Sequence, residues 1–290
     1  MSAPRIGLAL SGGGARGFAH IAVMEALDDL GLRPAHVTGT SIGAILGAAY
    51  CAGMTGREIR HEILSIFRTR SEVLTRLMRS NGTGLGALVR PTLANPLQMN
   101  AERLLAAFLP ASLPHNFEDL TTPMTVVATD FYRGVSVDFE SGPLRKVIAA
   151  SVAIPALFRP VVIDKTVYVD GGVVDPLPMS QFEGRADIIV AVDVVKGPTF
   201  KAGRIPTTFE AILGSSQMMM QNILNARVAR HPPDVLIKPD ISNFRILEFH
   251  RARAILKASE AFIDDSKRDI EAAIQRFEHA PVSAVPEKTT

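Results

Sequence analysis

Cysteine occurs once, tryptophan not at all, and aromatic residues make up only 6% of the 290 positions. The single thiol, Cys51, excludes an intrachain disulfide and any cysteine-rich metal site, and it fits a reducing compartment. Taken alone it reads as a small buried apolar side chain. An excess of charge of either sign is lacking too, with a formal net charge of +2. That is too little for a nucleic-acid binder that works by neutralising phosphates, and it leaves membrane attraction only to local basic clusters. Long apolar runs are also missing. The longest uncharged stretch, Val37–Met54, is rich in Gly and Ala and contains Thr38, Thr40 and Ser41. It suits a buried core helix better than the about 20 strongly apolar residues of a membrane span. The apolar run before Ser11 is too short for a signal-peptide core, so a cytoplasmic protein is expected. What is present, 47% hydrophobic and 21% charged residues, is an ordinary globular composition with enough apolar mass for a large core.

The stretch Gly39-Thr40-Ser41-Ile42-Gly43 stands between a short apolar run and a small-residue helix. A serine with a glycine two residues to either side suits a strained strand-to-helix turn, because the missing Cβ atoms let strand and helix approach and leave Oγ exposed. The same residues also suit a serine that merely caps a helix. Upstream, the strand expected over Arg5–Ser11 runs into Gly12-Gly13-Gly14-Ala15-Arg16-Gly17. A helix from Phe18 to Leu30 follows, and Gly31 closes it. Backbone N–H groups in such a loop make a site for negative charge. Gly12, Gly14 and Gly17 satisfy the dinucleotide pattern, but the next strand, His36–Gly39, ends in the serine turn and carries no acidic residue for a ribose. No Gly-Lys-Ser/Thr follows either. The remaining use is an oxyanion hole in which the N–H groups of Gly12, Gly13 and Gly14 face a carbonyl oxygen attacked by Ser41.

Downstream, the nucleophile helix is expected over Ile42–Met54, and a helix over Arg57–Leu77 buries Ile59, Ile63, Ile66 and Phe67. Its arginines, Arg57, Arg60, Arg68, Arg70, Arg76 and Arg79, read as a solvated face or a contact for anionic lipid. Residues 80–100 have no clear period and read as a lid, a rim or a long surface loop. Strands are expected over Met124–Thr129 and Gly134–Phe139 with Asp130 capping the turn between them, a helix over Leu144–Ala150, and a hairpin over Val161–Ile163 and Thr166–Val169. That hairpin delivers Asp170-Gly171-Gly172, by itself a turn signal. Ile188–Val194 reads as a central parallel strand containing Asp193, which ends the strand or binds backbone groups. A helix over Thr207–Arg230 carries a methionine-rich face, read chiefly as core packing and otherwise as a contact for acyl chains, a partner or a membrane. One long helix over Glu248–Phe277 packs across the sheet and leaves a second copy of the chain, a homodimer, as an option.

The glycine loop, the Gly39–Gly43 turn and Asp170-Gly171-Gly172 resemble, in order and spacing, the motifs of patatin-like phospholipases. The Ala150–Phe158 run and Val235–Asp240 extend the resemblance to about residues 5–260. It implies a serine hydrolase acting on acyl esters, a phospholipase A, lysophospholipase or esterase, with a Ser–Asp dyad. Ser41 is then the nucleophile, Asp170 the base, Gly12–Gly14 the oxyanion hole, and no cofactor or metal is needed. Ser11 departs from the aspartate that many plant members carry before the glycines. A carboxylate is a weak base toward an alcohol, so the dyad requires desolvation of Asp170 and a short hydrogen bond to Ser41. A triad in the order Ser, Asp, His would draw on His231 or His250, for which no motif speaks, and His20 reads as a packing residue.

The expected fold is a three-layer α/β/α structure with a mainly parallel central sheet. One hydrolase domain covers 1–278, and a disordered tail is expected over 279–290. Expected partners are a lipid or acyl-ester substrate and peripheral contact with the inner membrane surface. A nucleotide-binding module using the Gly12–Gly17 loop, and a catalytically silent regulatory protein of this fold, stand as the alternative functions.

Overall fold

A computed structural model describes residues 3–67, 100–102, 105, 109–110, 112–198, 203 and 205–279. The readings for 80–99, for Arg68, Arg70, Arg76 and Arg79, and for 280–290 lie outside the described residues. Short β-branched and apolar segments form one sheet of eight strands: β1 (Ile6–Leu10), β2 (His36–Thr40), β3 (Met124–Asp130), β4 (Val135–Phe139), β5 (Val161–Ile163), β6 (Thr166–Asp170), β7 (Ile188–Val192) and β8 (Val235–Ile237). The order is β5-β6-β3-β2-β1-β7-β8, with β4 also paired to β3. Strands β3, β2, β1, β7 and β8 run parallel, whereas β4 and β6 run antiparallel to β3. Alternation sorts side chains between two faces. Leu8, Leu10, Val190 and Val192 enter the larger core, while Ala9 and Ala191 enter a smaller one with Leu177, Phe182 and Leu224.

The two covering layers are unequal. The larger core is roofed by α1 (His20–Asp29), α2 (Ile42–Cys51), α3 (Gly56–Ile66), α4 (Leu144–Ser151), α6 (Ala252–Ser259) and α7 (Ile263–His279). The smaller core is covered by the segment after β6 and by α5 (Thr208–Arg230). Helix α1 begins only after a 3-10 stretch over Gly14–Ala19, and it ends as its sequence predicts. Gly31 has φ 68°, and the N–H groups of Gly31 and Leu32 return to the carbonyls of Asp28 and Leu27.

Three expectations change. The helix read over 248–277 is broken by a 3-10 turn at Glu260–Phe262 between α6 and α7, next to Ser259 and Ser266, whose hydroxyls donate to carbonyls four residues back. His279, read as the start of the tail, is the last residue of α7. Only part of α5 is core: Leu213, Gln217 and Leu224 are buried, but Phe209, Ile212, Met218 and Met219 are exposed. The two described arginines of α3 face other side chains. Arg57 pairs with Asp29 at 2.7 Å, and Arg60 pairs with buried Glu25 at 2.6 Å and with Glu260 at 3.2 Å. Asp193 follows β7 directly and accepts the Val195 N–H, and Asp130 accepts those of Tyr132 and Arg133.

Candidate active site

The sheet register brings the two halves of the site together. Strand β4 occupies one edge of β3 from Val126 to Asp130. On the opposite edge β2 pairs up to Thr40↔Val127, and β6, running the other way, pairs from Asp170↔Ala128. The carboxyl ends of β2 and β6 therefore meet end-on along β3. Ser41, one residue beyond β2, faces Asp170, the last residue of β6. The Ser41 hydroxyl donates to Asp170 Oδ2 at 2.7 Å, and the Gly172 N–H donates to Oδ1 at 2.8 Å. Ser41 is 5% exposed and Asp170 4%. Burial pushes the Asp170 carboxyl up to about 6, against the smaller opposing pull of the Ser41 and Gly172 hydrogen bonds.

Ser41 has φ 56° and ψ −121°, a conformation that costs a non-glycine residue about 1–3 kcal/mol. The surrounding contacts hold it. The Ser41 N–H donates to Ser151 Oγ at 2.9 Å, and that hydroxyl donates to the Val127 carbonyl at 2.7 Å. The two flanking glycines are required by close approach. A Cβ at Gly39 would stand 2.7 Å from the Gly43 carbonyl, and one at Gly43 would stand 2.3 Å from Leu10 O. Ser151, at the end of α4, lies in the Ala150–Phe158 run but had no role assigned there, since its part is played by hydrogen bonds across the fold.

The glycine loop lies beside the pair, with the three donors read from the sequence reduced to two. The Gly12 N–H already donates to Pro176 O at 3.0 Å, and the Ala15 N–H to Ile246 O at 2.8 Å. Those of Gly13 and Gly14 have no acceptor among the described residues. Both residues have positive φ, 151° and 58°. Two engaged amides also leave the loop poorly suited to cradle a pyrophosphate. Ser11 donates to Gly12 O and accepts the Val194 N–H, tying the loop to the chain after β7. Arg16, part of the glycine-loop motif but with no role legible there, is a buried cation whose guanidinium donates to the carbonyls of Phe244, Lys196 and Gly197 and to Gln217 Oε1 of α5. A second link joins α5 to the segment after β6, where Arg227 lies 2.9 Å from Asp175. Between them Met220 leans over the site. Its methyl group would be 3.4 Å from a Cβ at Gly12 and 2.5 Å from one at Gly172.

The histidines stand apart. His20 Nε2 lies 2.9 Å from the Ser11 carbonyl, which can only accept, so Nε2 carries the proton, and burial holds its pKa down to about 4. His231 and His250 are exposed. Cys51 is buried, which pushes its thiol up. No group of three or more His, Cys, Asp or Glu side chains is placed to hold a metal among the described residues. A cavity of about 380 Å³ lined by Glu102, Leu105, Leu109, Arg145 and Lys146 lies away from Ser41.

A buried serine–carboxylate pair at the end of a mainly parallel sheet, beside a glycine loop with free amides, is what a nucleophilic hydrolase requires. The patatin-like phospholipase family profile matches residues 8–182, more than half of the chain. The chain belongs to the patatin-like phospholipase family. It is 38% identical over 194 residues to an uncharacterized NTE family protein of Mycobacterium tuberculosis, covering 67% of this chain and 50% of that one. It is 25% identical over 289 residues to lysophospholipase NTE1 of Kluyveromyces lactis, covering 91% and 19%. The chain thus spans about half the length, or less, of these curated relatives. Among solved structures, VipD from Legionella pneumophila has a TM-score of 0.49 at 16% identity, covering 94% of this chain and 67% of that one.

Proposed function

We propose that the chain is a serine hydrolase of lipid acyl esters in which Ser41 is the nucleophile and Asp170 the base. The observation that carries this reading is the 2.7 Å hydrogen bond from Ser41 Oγ to the desolvated Asp170 carboxylate. The Ser41 proton passes to Asp170 Oδ2 as Oγ attacks the ester carbonyl carbon. The N–H groups of Gly13 and Gly14 supply the oxyanion hole. Collapse of the tetrahedral intermediate breaks the ester C–O bond, and the leaving alcohol takes the proton from Asp170. Water then gives a proton to Asp170 and attacks the acyl carbon. The second collapse frees the fatty acid, and Ser41 recovers its proton. The relative from Kluyveromyces lactis bears the name lysophospholipase, which makes a single-chain phospholipid the first substrate to offer.

Ser41→Ala and Asp170→Asn should each lower turnover of a short-chain ester by at least about a thousandfold. Ser41→Ala should also abolish labelling by a fluorophosphonate probe. Near-normal turnover in either variant removes the dyad. An inert wild-type chain that takes no label returns the fold to the catalytically silent reading.

A further inference from the structure

Helix α5 carries two adjacent stripes. Leu213, Gln217, Met220 and Leu224, spaced four, three and four residues apart, turn toward the protein, with Met220 over the Ser41–Asp170 pair. Phe209, Ile212, Ser216 and Met219, spaced three, four and three, form the neighbouring stripe. An ordinary surface helix places charge there. This one places none, since residues 211–226 contain no charged side chain. Ile212 is 47% exposed, Met219 59%, and Ile205 just before the helix 89%. A second apolar protrusion stands at the end of the sheet where the pair lies. Strand β3 continues three residues past Val127, the partner of Thr40, and its turn then presents Phe131 and Tyr132, the latter 81% exposed, followed by Arg133. At about 3.3 Å per residue this turn lies roughly 10 Å beyond the level of the pair. Exposed cations adjoin both features: Arg230 ends α5 and Arg133 follows the aromatic turn.

We infer that the outward stripe of α5, together with the Phe131–Tyr132 turn, is a docking surface for a phospholipid bilayer bearing anionic headgroups. The inference rests on the acyl-ester reading for its purpose: the helix that would meet the bilayer is the one whose inner side covers the proposed nucleophile. Aliphatic and thioether side chains enter the acyl boundary, an aromatic pair seats at the headgroup level, and the flanking cations meet the anionic surface. Met219 gives the stripe a deformable apolar point.

The test is flotation of the full chain with vesicles of phosphatidylcholine alone and of phosphatidylcholine with phosphatidylglycerol. Wild type should float with the second at least about tenfold more than with the first, and less as salt rises. Ile212→Glu combined with Met219→Glu should lose at least about tenfold of the bound fraction with an unchanged thermal midpoint. Ile212→Ser with Met219→Ser serves if the glutamates impair folding. Wild type that floats with neither vesicle, or a variant that floats as wild type does, overturns the proposal. So does a wild-type dimer in sedimentation that the variant abolishes without any vesicle binding, since a second copy then covers the stripe. Wild-type turnover of a soluble ester, measured alongside, keeps the two readings apart: turnover without flotation sinks only the docking surface, and flotation without turnover sinks only the hydrolase.

Discussion

Asp170 is held in a place that opposes its own ionisation, and that opposition has two measurable sides. A carboxyl whose pKa rises to about 6 on folding binds its proton more tightly folded than unfolded. It therefore favours folding at low pH, and this contribution fades as pH rises through about 6, by on the order of 3 kcal/mol. Asp170→Asn has no such penalty. We expect it to raise the thermal midpoint above pH 7 relative to wild type and to leave it nearly unchanged below pH 4, as scanning calorimetry would read. In its proposed role as base the same group works only when ionised, so kcat/KM should fall about tenfold per unit below pH 6 and level off above it. A pH profile flat between 4 and 7 would contradict that assignment. Ser41 was legible because its requirements are local, with two glycines and the strand-to-helix switch all within five residues. Ser151 and the engaged Gly12 amide were not, because their partners, Ser41 with Val127 and Pro176, lie far away in the chain.

Helix α2 touches β1 closely at Gly43, where a Cβ would collide with the Leu10 carbonyl at 2.3 Å. Gly43→Ala should destabilise the chain by about 1–3 kcal/mol through backbone displacement of α2. Gly197→Ala, with nothing within 4 Å of its Cβ, should stay within about 0.5 kcal/mol, and urea unfolding of both variants tests the contrast. Equal effects would mean that the Gly39–Gly43 turn can relax. Strands and helices were readable where one face is buried, because burial imposes a period. The period misleads where a helix bends without losing its stripe, as between α6 and α7. It is silent about exposure on α5, whose apolar residues lie on both the inner and the outer stripe.

All eight strands belong to one sheet, and the chain crosses it repeatedly before α7 packs back against α1. We propose residues 1–278 as one cooperative unit. Far-ultraviolet and near-ultraviolet circular dichroism should then follow a single coincident thermal transition, and two separated transitions would divide the chain. The sequence by itself determined the class of fold and most strand and helix positions, because each depends on composition, period or a short run of neighbours, and the resemblance of its three motifs to one family singled out Ser41 and Asp170 as candidates. Tertiary structure alone decided three things. It set β2 and β6 end-on against one edge of β3, removed Gly12 from the free amides, and laid α5 over the pair with an uncharged stripe outward. Each is a contact between segments distant in the chain, and such contacts follow from sheet register and core packing, which no local pattern encodes.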